Sequence, residues 1–192
     1  MSEQKNQLSN EQLAIAYLKG DKNSLEILVA RNLKPIFNFI RRLVNNSEVA
    51  EDLTQETFVK AWLKIKKFDQ TKSFKTWLFT IAKNTAFDWL RQKKEIPLSE
   101  FTLETGENLI LDNLADEELL PDELLMQKEN TEFLAKKLAS LPLLDKTILE
   151  LYFQEDFKLI EIAEILKTST NTIKSRYRRA LVKLRIILEL KD

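Results

Sequence analysis

Apolar residues recur every three to four positions along most of this chain, the spacing that gathers them on one face of a helix. Leu53, Thr57, Ala61 and Ile65 make one such stripe, and Phe74, Leu78, Ile81, Ala82, Thr85 and Trp89 make another. The pattern breaks where the residues favour helix ends. Gly20-Asp21 joins a C-cap signal to a fresh N-cap, and Asn45-Asn46-Ser47 offers a second stop and restart. The chain therefore predicts helices from near Glu11 to Lys19, from Ser24 to Val44, from Glu48 to about Lys66, and from behind Ser73 to about Lys94. Pro35 predicts a kink or break in the second. Glu48, Glu51 and Asp52 stand in the first turn of the third, where the helix dipole favours acids.

Two further helices follow near the C-terminus. Lys158 to Leu166 buries Leu159, Ile162, Ala163 and Leu166, and the small Ala163 permits close crossing by a neighbour. From Asn171 to Arg185 the apolar stripe is Ile173, Tyr177, Ala180, Leu181 and Leu184. The same segment carries Lys174, Arg176, Arg178, Arg179, Lys183 and Arg185 and no acid. At 100° per residue, Asn171, Thr172, Ser175 and Arg179 point away from the stripe. Lys174 and Arg178 lie on one shoulder, Arg176 and Lys183 on the other. Polar tips with cations on both shoulders suit a major groove, where tips meet base edges and shoulders meet phosphates. This reads as a helix-turn-helix, and a solvated basic helix at the end of a bundle is the plainer alternative.

Between these parts, residues 96–128 hold two of the four prolines and one of the two glycines. Helical periodicity lapses there. Charge separates along the same lines: 17 Lys+Arg against 11 Asp+Glu in residues 1–95, one against nine in 96–128, and 12 against 10 in 129–192. A formal net charge of zero thus hides two basic blocks around an acidic connector. Phe101, Leu103, Leu109, Ile110, Leu111 and Leu119 make the connector too apolar for a freely solvated tether. It either packs on its own domains or threads as an acidic strand into a basic channel of a partner.

Composition narrows the function classes. Two glycines, 44% hydrophobic residues and the long 3.6-periodic segments argue for an all-α protein; 192 residues allow one domain or two, and the acidic connector divides them into two small helical domains. No apolar run spans a bilayer, and the first residues lack the form of a signal peptide, so the expected location is cytoplasmic. Without Cys or His there is no disulfide framework, thiolate zinc site or imidazole base. No carboxylate pair has a catalytic spacing. The expectation is a protein without catalytic residues, metal, cofactor or small-molecule substrate.

Two faces do not look like core. On the third helix Asp52, Gln55, Glu56, Val59, Trp62 and Leu63 lie opposite the buried stripe. Acid, amide and large apolar groups together suit a protein–protein interface; a central helix packed on both sides fits the periodicity equally. On the fourth, Thr76, Thr80, Lys83, Asn84, Phe87, Arg91 and Lys94 share the outer face. Cations with hydroxyl and amide donors and a stacking ring suit single-stranded nucleic acid, while a lone outward Phe also packs readily on a neighbouring helix.

Taken in order, the segments resemble a bacterial RNA polymerase sigma factor of the extracytoplasmic-function (ECF) subfamily of the sigma-70 family. Asp52-Leu53-Thr54-Gln55-Glu56-Thr57-Phe58-Val59-Lys60-Ala61-Trp62 is similar to the family's core-binding signature. Phe74-Lys75-Thr76-Trp77-Leu78-Phe79-Thr80-Ile81-Ala82-Lys83-Asn84, followed by Asp88-Trp89-Leu90-Arg91, resembles its promoter-melting helix. Leu141-Pro142, Glu161-Ile162-Ala163-Glu164 and Thr172-Ile173-Lys174-Ser175-Arg176 with Arg179-Ala180 look like its region 4.

The resemblance implies region 2 at residues 11–95, an acidic linker at 96–128 and region 4 at 129–189. Core polymerase would meet Asp52, Gln55, Glu56, Val59, Trp62 and Leu63. The −10 element, melted to a single strand, would meet Lys72, Thr76, Thr80, Lys83, Asn84, Phe87, Arg91 and Lys94. The −35 duplex would meet Asn171, Thr172, Lys174, Ser175, Arg176, Arg178 and Arg179. Core RNA polymerase and promoter DNA are the implied partners, and an anti-sigma factor is admitted as a third. The chain departs from the family pattern at Lys167, where Gly is usual in the turn; a left-handed Lys there costs about 1 kcal/mol. Asp156 and Lys158 stand where Gly and a Ser cap are common, which predicts a less firmly started first helix.

Two other readings compete. A dimeric helix-turn-helix regulator acting without polymerase needs a self-complementary surface, and no heptad seam supplies one. An adaptor whose basic faces hold acidic partners is the other. Affinity for core polymerase separates the sigma-factor reading from both.

Overall fold

A computed structural model of the chain describes residues 7–93, 138 and 140–189, the last two by backbone alone. Among these residues there are seven α-helices and no strand: α1 (Asn10–Leu18), α2 (Lys22–Val44), α3 (Ser47–Lys64), α4 (Phe74–Lys93), α5 (Leu143–Phe153), α6 (Leu159–Leu166) and α7 (Thr170–Glu189). A 3-10 turn, Ile65–Lys67, prolongs α3. The chain divides into two compact units, one holding α1–α4 and the other α5, α7 and most of α6.

In the first unit the starts of α1, α3 and α4 are capped by side chains, while Asp21 before α2 makes no side-chain cap hydrogen bond. Ser9 and Gln12 form a capping box on α1: Gln12 N–H donates to Ser9 Oγ at 3.2 Å and Ser9 N–H to Gln12 Oε1 at 2.8 Å. Asn45 ends α2 in the left-handed conformation at φ 52°, and Asn46 then caps α3 by accepting Val49 N–H at 3.1 Å. Ser73 caps α4, its Oγ accepting Thr76 N–H at 3.2 Å. Pro35, expected to kink or break α2, sits within a helix that continues from Lys22 to Val44.

The core of this unit is Leu13, Leu28, Ile36, Phe39, Ile40, Phe74, Leu78 and Phe79, all fully buried. Each such side chain contributes about 1.5–3 kcal/mol relative to exposure. Phe39 and Phe79 pack with ring centroids 5.3 Å apart, which ties α2 to α4. Buried Asn32 is satisfied by donating to Leu28 O at 2.8 Å. Arg31 donates to Leu8 O at 2.7 Å and to Asn10 Oδ1 at 3.1 Å, a polar tie between α2 and the start of α1.

In the second unit, Leu141, Leu149, Ala180, Leu181 and Leu184 form the cluster that joins α5 to α7. α5 itself is absent from the sequence reading. Asp156 and Lys167 are both left-handed, at φ 56° and 55°, so the glycine-like conformation is kept without glycine. The start of α6 is not bare: Glu161 Oε2 accepts Lys158 N–H at 2.8 Å, the reach-back half of a capping box. Lys158 offers no side-chain acceptor to the N–H groups of the first turn, and Glu161 satisfies only the N–H of Lys158 itself.

Candidate functional site

The outer face of α3 is open. Asp52, Gln55, Glu56, Val59 and Leu63 are exposed, and Trp62 is half-buried. Val59 is 58% and Leu63 79% exposed, against a buried opposite stripe of Leu53, Thr57, Ala61 and Ile65. The alternative of a central helix packed on both sides is thereby excluded. Glu56 pairs with Lys60 at 2.7 Å, and Lys60 Nζ also reaches Thr85 Oγ1 of α4 at 3.3 Å. Asp52 has no such tether among the described residues. Beside the stripe an open groove of about 480 Å³ is lined by Tyr17, Gly20, Lys22, Trp62, Leu63 and Ile65. Tyr17 and Trp62 meet at 5.4 Å. Tyr17 was missed in the sequence because no motif in α3 points to α1.

The outer face of α4 is less open than its periodicity suggests. Phe87, expected to be an aromatic left outside the core, is 6% exposed, and Thr76 and Lys83 are buried too. Thr80 and Asn84 are half-buried and Arg91 is exposed. Lys83 Nζ donates to Asn84 Oδ1 at 2.7 Å and lies 5.4 Å from the Phe87 ring centroid. The reason for the difference is that α4 packs against α1, α2 and α3 at once, so one apolar stripe understates its buried width. Trp89, assigned to that stripe, is only half-buried, while Phe79, Ala86 and Leu90 are buried. Lys94 lies outside the described residues, as do the acidic connector and its apolar side chains.

The loop before α4 is ordered by its own side chains. Asp69 Oδ1 accepts both the N–H of Thr71 at 3.0 Å and its hydroxyl at 2.7 Å. Those bonds, the Thr71 hydroxyl first, hold the Asp69 carboxyl below its ordinary range. Lys72 N–H donates to Asp69 O at 3.0 Å, and the Lys72 side chain is exposed. Below the loop, Phe68, Phe74 and Trp77 stand 5.2–5.4 Å from one another.

In the second unit, Ser169 caps α7 by accepting Thr172 N–H at 3.0 Å, and the two hydroxyls lie 2.8 Å apart. Asn171 and Lys174 are exposed; Thr172, Ser175, Arg178 and Arg179 are half-buried. The Nε of Arg179 is buried with no acceptor among the described residues. Arg176 departs from expectation. Instead of standing on an outer shoulder, its side chain is 13% exposed and its Nη1 lies 3.5 Å from Asp145 Oδ1 of α5. A buried carboxylate on the neighbouring helix attracts it inward, and that carboxylate belongs to an element the sequence reading lacked.

Comparison with known proteins agrees with this architecture. The Sigma-70 region 2 family matches residues 28–96, and the Sigma-70 region 4 family matches residues 138–185. The ECF RNA polymerase sigma factor SigW of Bacillus subtilis is 30% identical over 168 residues, 87% of this chain and 90% of that protein. The chain belongs to the ECF RNA polymerase sigma factors. In fold it is similar to CnrH, solved with the cytosolic domain of CnrY, at a TM-score of 0.69 and 23% identity over 95% of this chain and 99% of CnrH. It is likewise similar to the sigma factor RpoE of Bartonella quintana, solved with the anti-sigma factor NepR, at 0.64 and 24% over 88% and 98%. The family is not one of enzymes. Core RNA polymerase and promoter DNA are the partners of this sigma factor by membership, and no helix among the described residues is long and apolar enough to cross a membrane.

Proposed function

We propose that residues 11–95 of this sigma factor bind core RNA polymerase and read and help to melt the −10 element, while residues 129–189 read the −35 duplex. The segment 96–128 connects them. The protein works in the cytoplasm and adds no catalytic step of its own; the polymerase supplies the chemistry. The observation that carries the first assignment is the exposed α3 stripe, in which Asp52, Gln55 and Glu56 flank the open apolar groups Val59 and Leu63. Acids rimming exposed aliphatic groups are what a specific protein partner desolvates. A helix-turn-helix regulator acting without polymerase gives that stripe no occupant.

For melted DNA the accessible candidates are Lys72, Thr80, Asn84 and Arg91, with the Asp69–Thr71 turn as the wall of a base pocket. Buried Lys83 and Phe87 support Asn84 from beneath. For the −35 duplex the candidates are Asn171, Thr172, Lys174, Ser175, Arg178 and Arg179. An anti-sigma factor is a natural competitor for the α3 stripe, as NepR accompanies RpoE. In vitro transcription with purified core polymerase on a genomic DNA pool tests the whole reading. Start sites that share −10 and −35 elements and require this protein support it; no dependence on the protein overturns it.

A further inference from the structure

The six basic residues of α7 between Asn171 and Arg185 are not all placed for DNA. Two of them converge on one carboxylate. Asp145, in the first turn of α5, has a side chain only 3% exposed. Its Oδ2 accepts Lys183 Nζ at 2.7 Å, and its Oδ1 lies 3.5 Å from Arg176 Nη1. Arg176 and Lys183 are seven residues apart, two turns of α7, and so share the face that meets α5. The clasp lies beside the Leu149–Leu181–Leu184 cluster that packs the same two helices. Lys183 remains 49% exposed, so burial alone does not keep it from an outside anion; Asp145 does.

We propose that Asp145 is a specificity-determining residue of the −35 reader, which holds Arg176 and Lys183 off the DNA backbone. This rests on the reading of α7 as the −35 helix. Sequence-independent affinity grows with the number of phosphates a protein neutralises, and each one adds about 0.9 to the salt slope on duplex DNA. A recognition helix with every cation free would bind any duplex well and gain little from the right one. Sequestering two of them lowers the background and leaves the preference for particular bases to Ser175 and Arg179 at the tip.

The test uses holoenzyme formed with purified core polymerase. Closed complexes are measured over a range of salt on a selected promoter and on the same fragment with a scrambled −35 element. Asp145→Asn should steepen the salt slope on the scrambled fragment by about 1–2 units and on the promoter by less, because base contacts there pin the helix in one register, and so shrink the ratio between them by about three- to tenfold. Adding Arg176→Met and Lys183→Met to Asp145→Asn should return the slope to the wild-type value. Lys183→Met alone, which leaves Asp145 paired with Arg176, should not change the slope; a drop of about one unit makes Lys183 a phosphate ligand and overturns the proposal. An unchanged or shallower slope for Asp145→Asn overturns it too. Arg178→Ala and Lys174→Ala separate the two levels. If both lower the slope while Asp145→Asn does not raise it, the clasp is wrong and the −35 reading stands. If neither lowers it, α7 does not meet the backbone, and the reading fails together with the proposal.

Discussion

Glu11 Oε1 accepts the backbone N–H of Phe74 at 2.8 Å, so a carboxylate on α1 closes the first turn of a helix that begins 63 residues later. Ser73 satisfies a second N–H of that turn through Thr76. Two of the four donors that a helix start leaves open are thus met, one locally and one from across the unit. Because Phe74 also packs on Phe68 and Trp77, the bond anchors the base of the Lys67–Ser73 loop.

The same bond makes stability depend on pH. Burial works to raise the Glu11 carboxyl, but the Phe74 N–H and further hydrogen bonds at its own end of α1 outweigh it and hold it below its ordinary value. A depressed carboxyl contributes stability that is fully present above its unfolded value of about 4.3 and is lost as pH falls through the folded value. Glu11→Gln should lower the stability of the N-terminal unit by about 1 kcal/mol at pH 7, solvent screening of the partly solvated carboxylate placing it below the usual range for charged hydrogen bonds. Thermal midpoints of variant and wild type should converge as pH falls through that depressed value. A gap that persists there assigns the loss to packing instead.

Polymerase affinity should fall without loss of fold when the α3 stripe is changed. Asp52→Ala with Glu56→Ala removes two exposed acids and one Lys60 pair, which is worth about 0.2–0.5 kcal/mol on a helix surface. Leu63→Lys changes a side chain that is 79% exposed. Both should weaken core association at least tenfold while shifting the thermal midpoint little. Unfolding by either variant makes the stripe structural.

Promoter opening should depend on Asn84 and the loop before α4. Asn84→Ala, or exchange of Lys67–Ser73 for a Gly/Ser loop, should cut permanganate reactivity of the melted strand more than it cuts closed-complex binding. Equal losses in both assays rule out a melting role.

Two arginines of α7 should fail differently. Arg179→Ala should cost about 1–3 kcal/mol at the preferred −35 sequence and relax base preference. Arg178→Ala should weaken all sequences alike and lower the salt slope by about one unit. Binding to a −35 library at two salt concentrations reads both, and reversal of the two phenotypes means that α7 is rotated about its axis relative to this assignment.

Lys167 at φ 55° bears strain that glycine lacks. Lys167→Gly should raise the stability of the helix-turn-helix by up to about 0.5 kcal/mol, the relief of strain exceeding the added freedom of the unfolded chain. Chemical denaturation followed by far-UV circular dichroism measures it. A destabilised variant shows that the Lys167 side chain has a packing role.

The α1–α4 boundaries and both C-terminal stripes could be read from the chain because caps and 3.6-residue spacing are local signals. Ser9-Asn10-Glu11-Gln12 carries a capping box that the reading passed over, although the signal was present. What escaped depends on partners distant in sequence. Nothing near Phe87 says that α4 will meet three helices, and nothing near Arg176 says that Asp145 will be its neighbour. α5 was overlooked because Leu143 to Phe153 is apolar on several sides, and a helix without a polar face gives a weak periodic signal.

The open groups on α3 also bear on how long the free protein lasts. A partner that covers Val59 and Leu63 binds the folded chain and not the unfolded one, so its concentration enters the folding equilibrium directly. At a hundredfold excess over its dissociation constant such a partner adds about 2.7 kcal/mol. Copies without a partner lack that increment and unfold more often, which exposes them first to proteolysis. On the proposed assignment of that stripe, the abundance of this protein is coupled to the supply of its occupant.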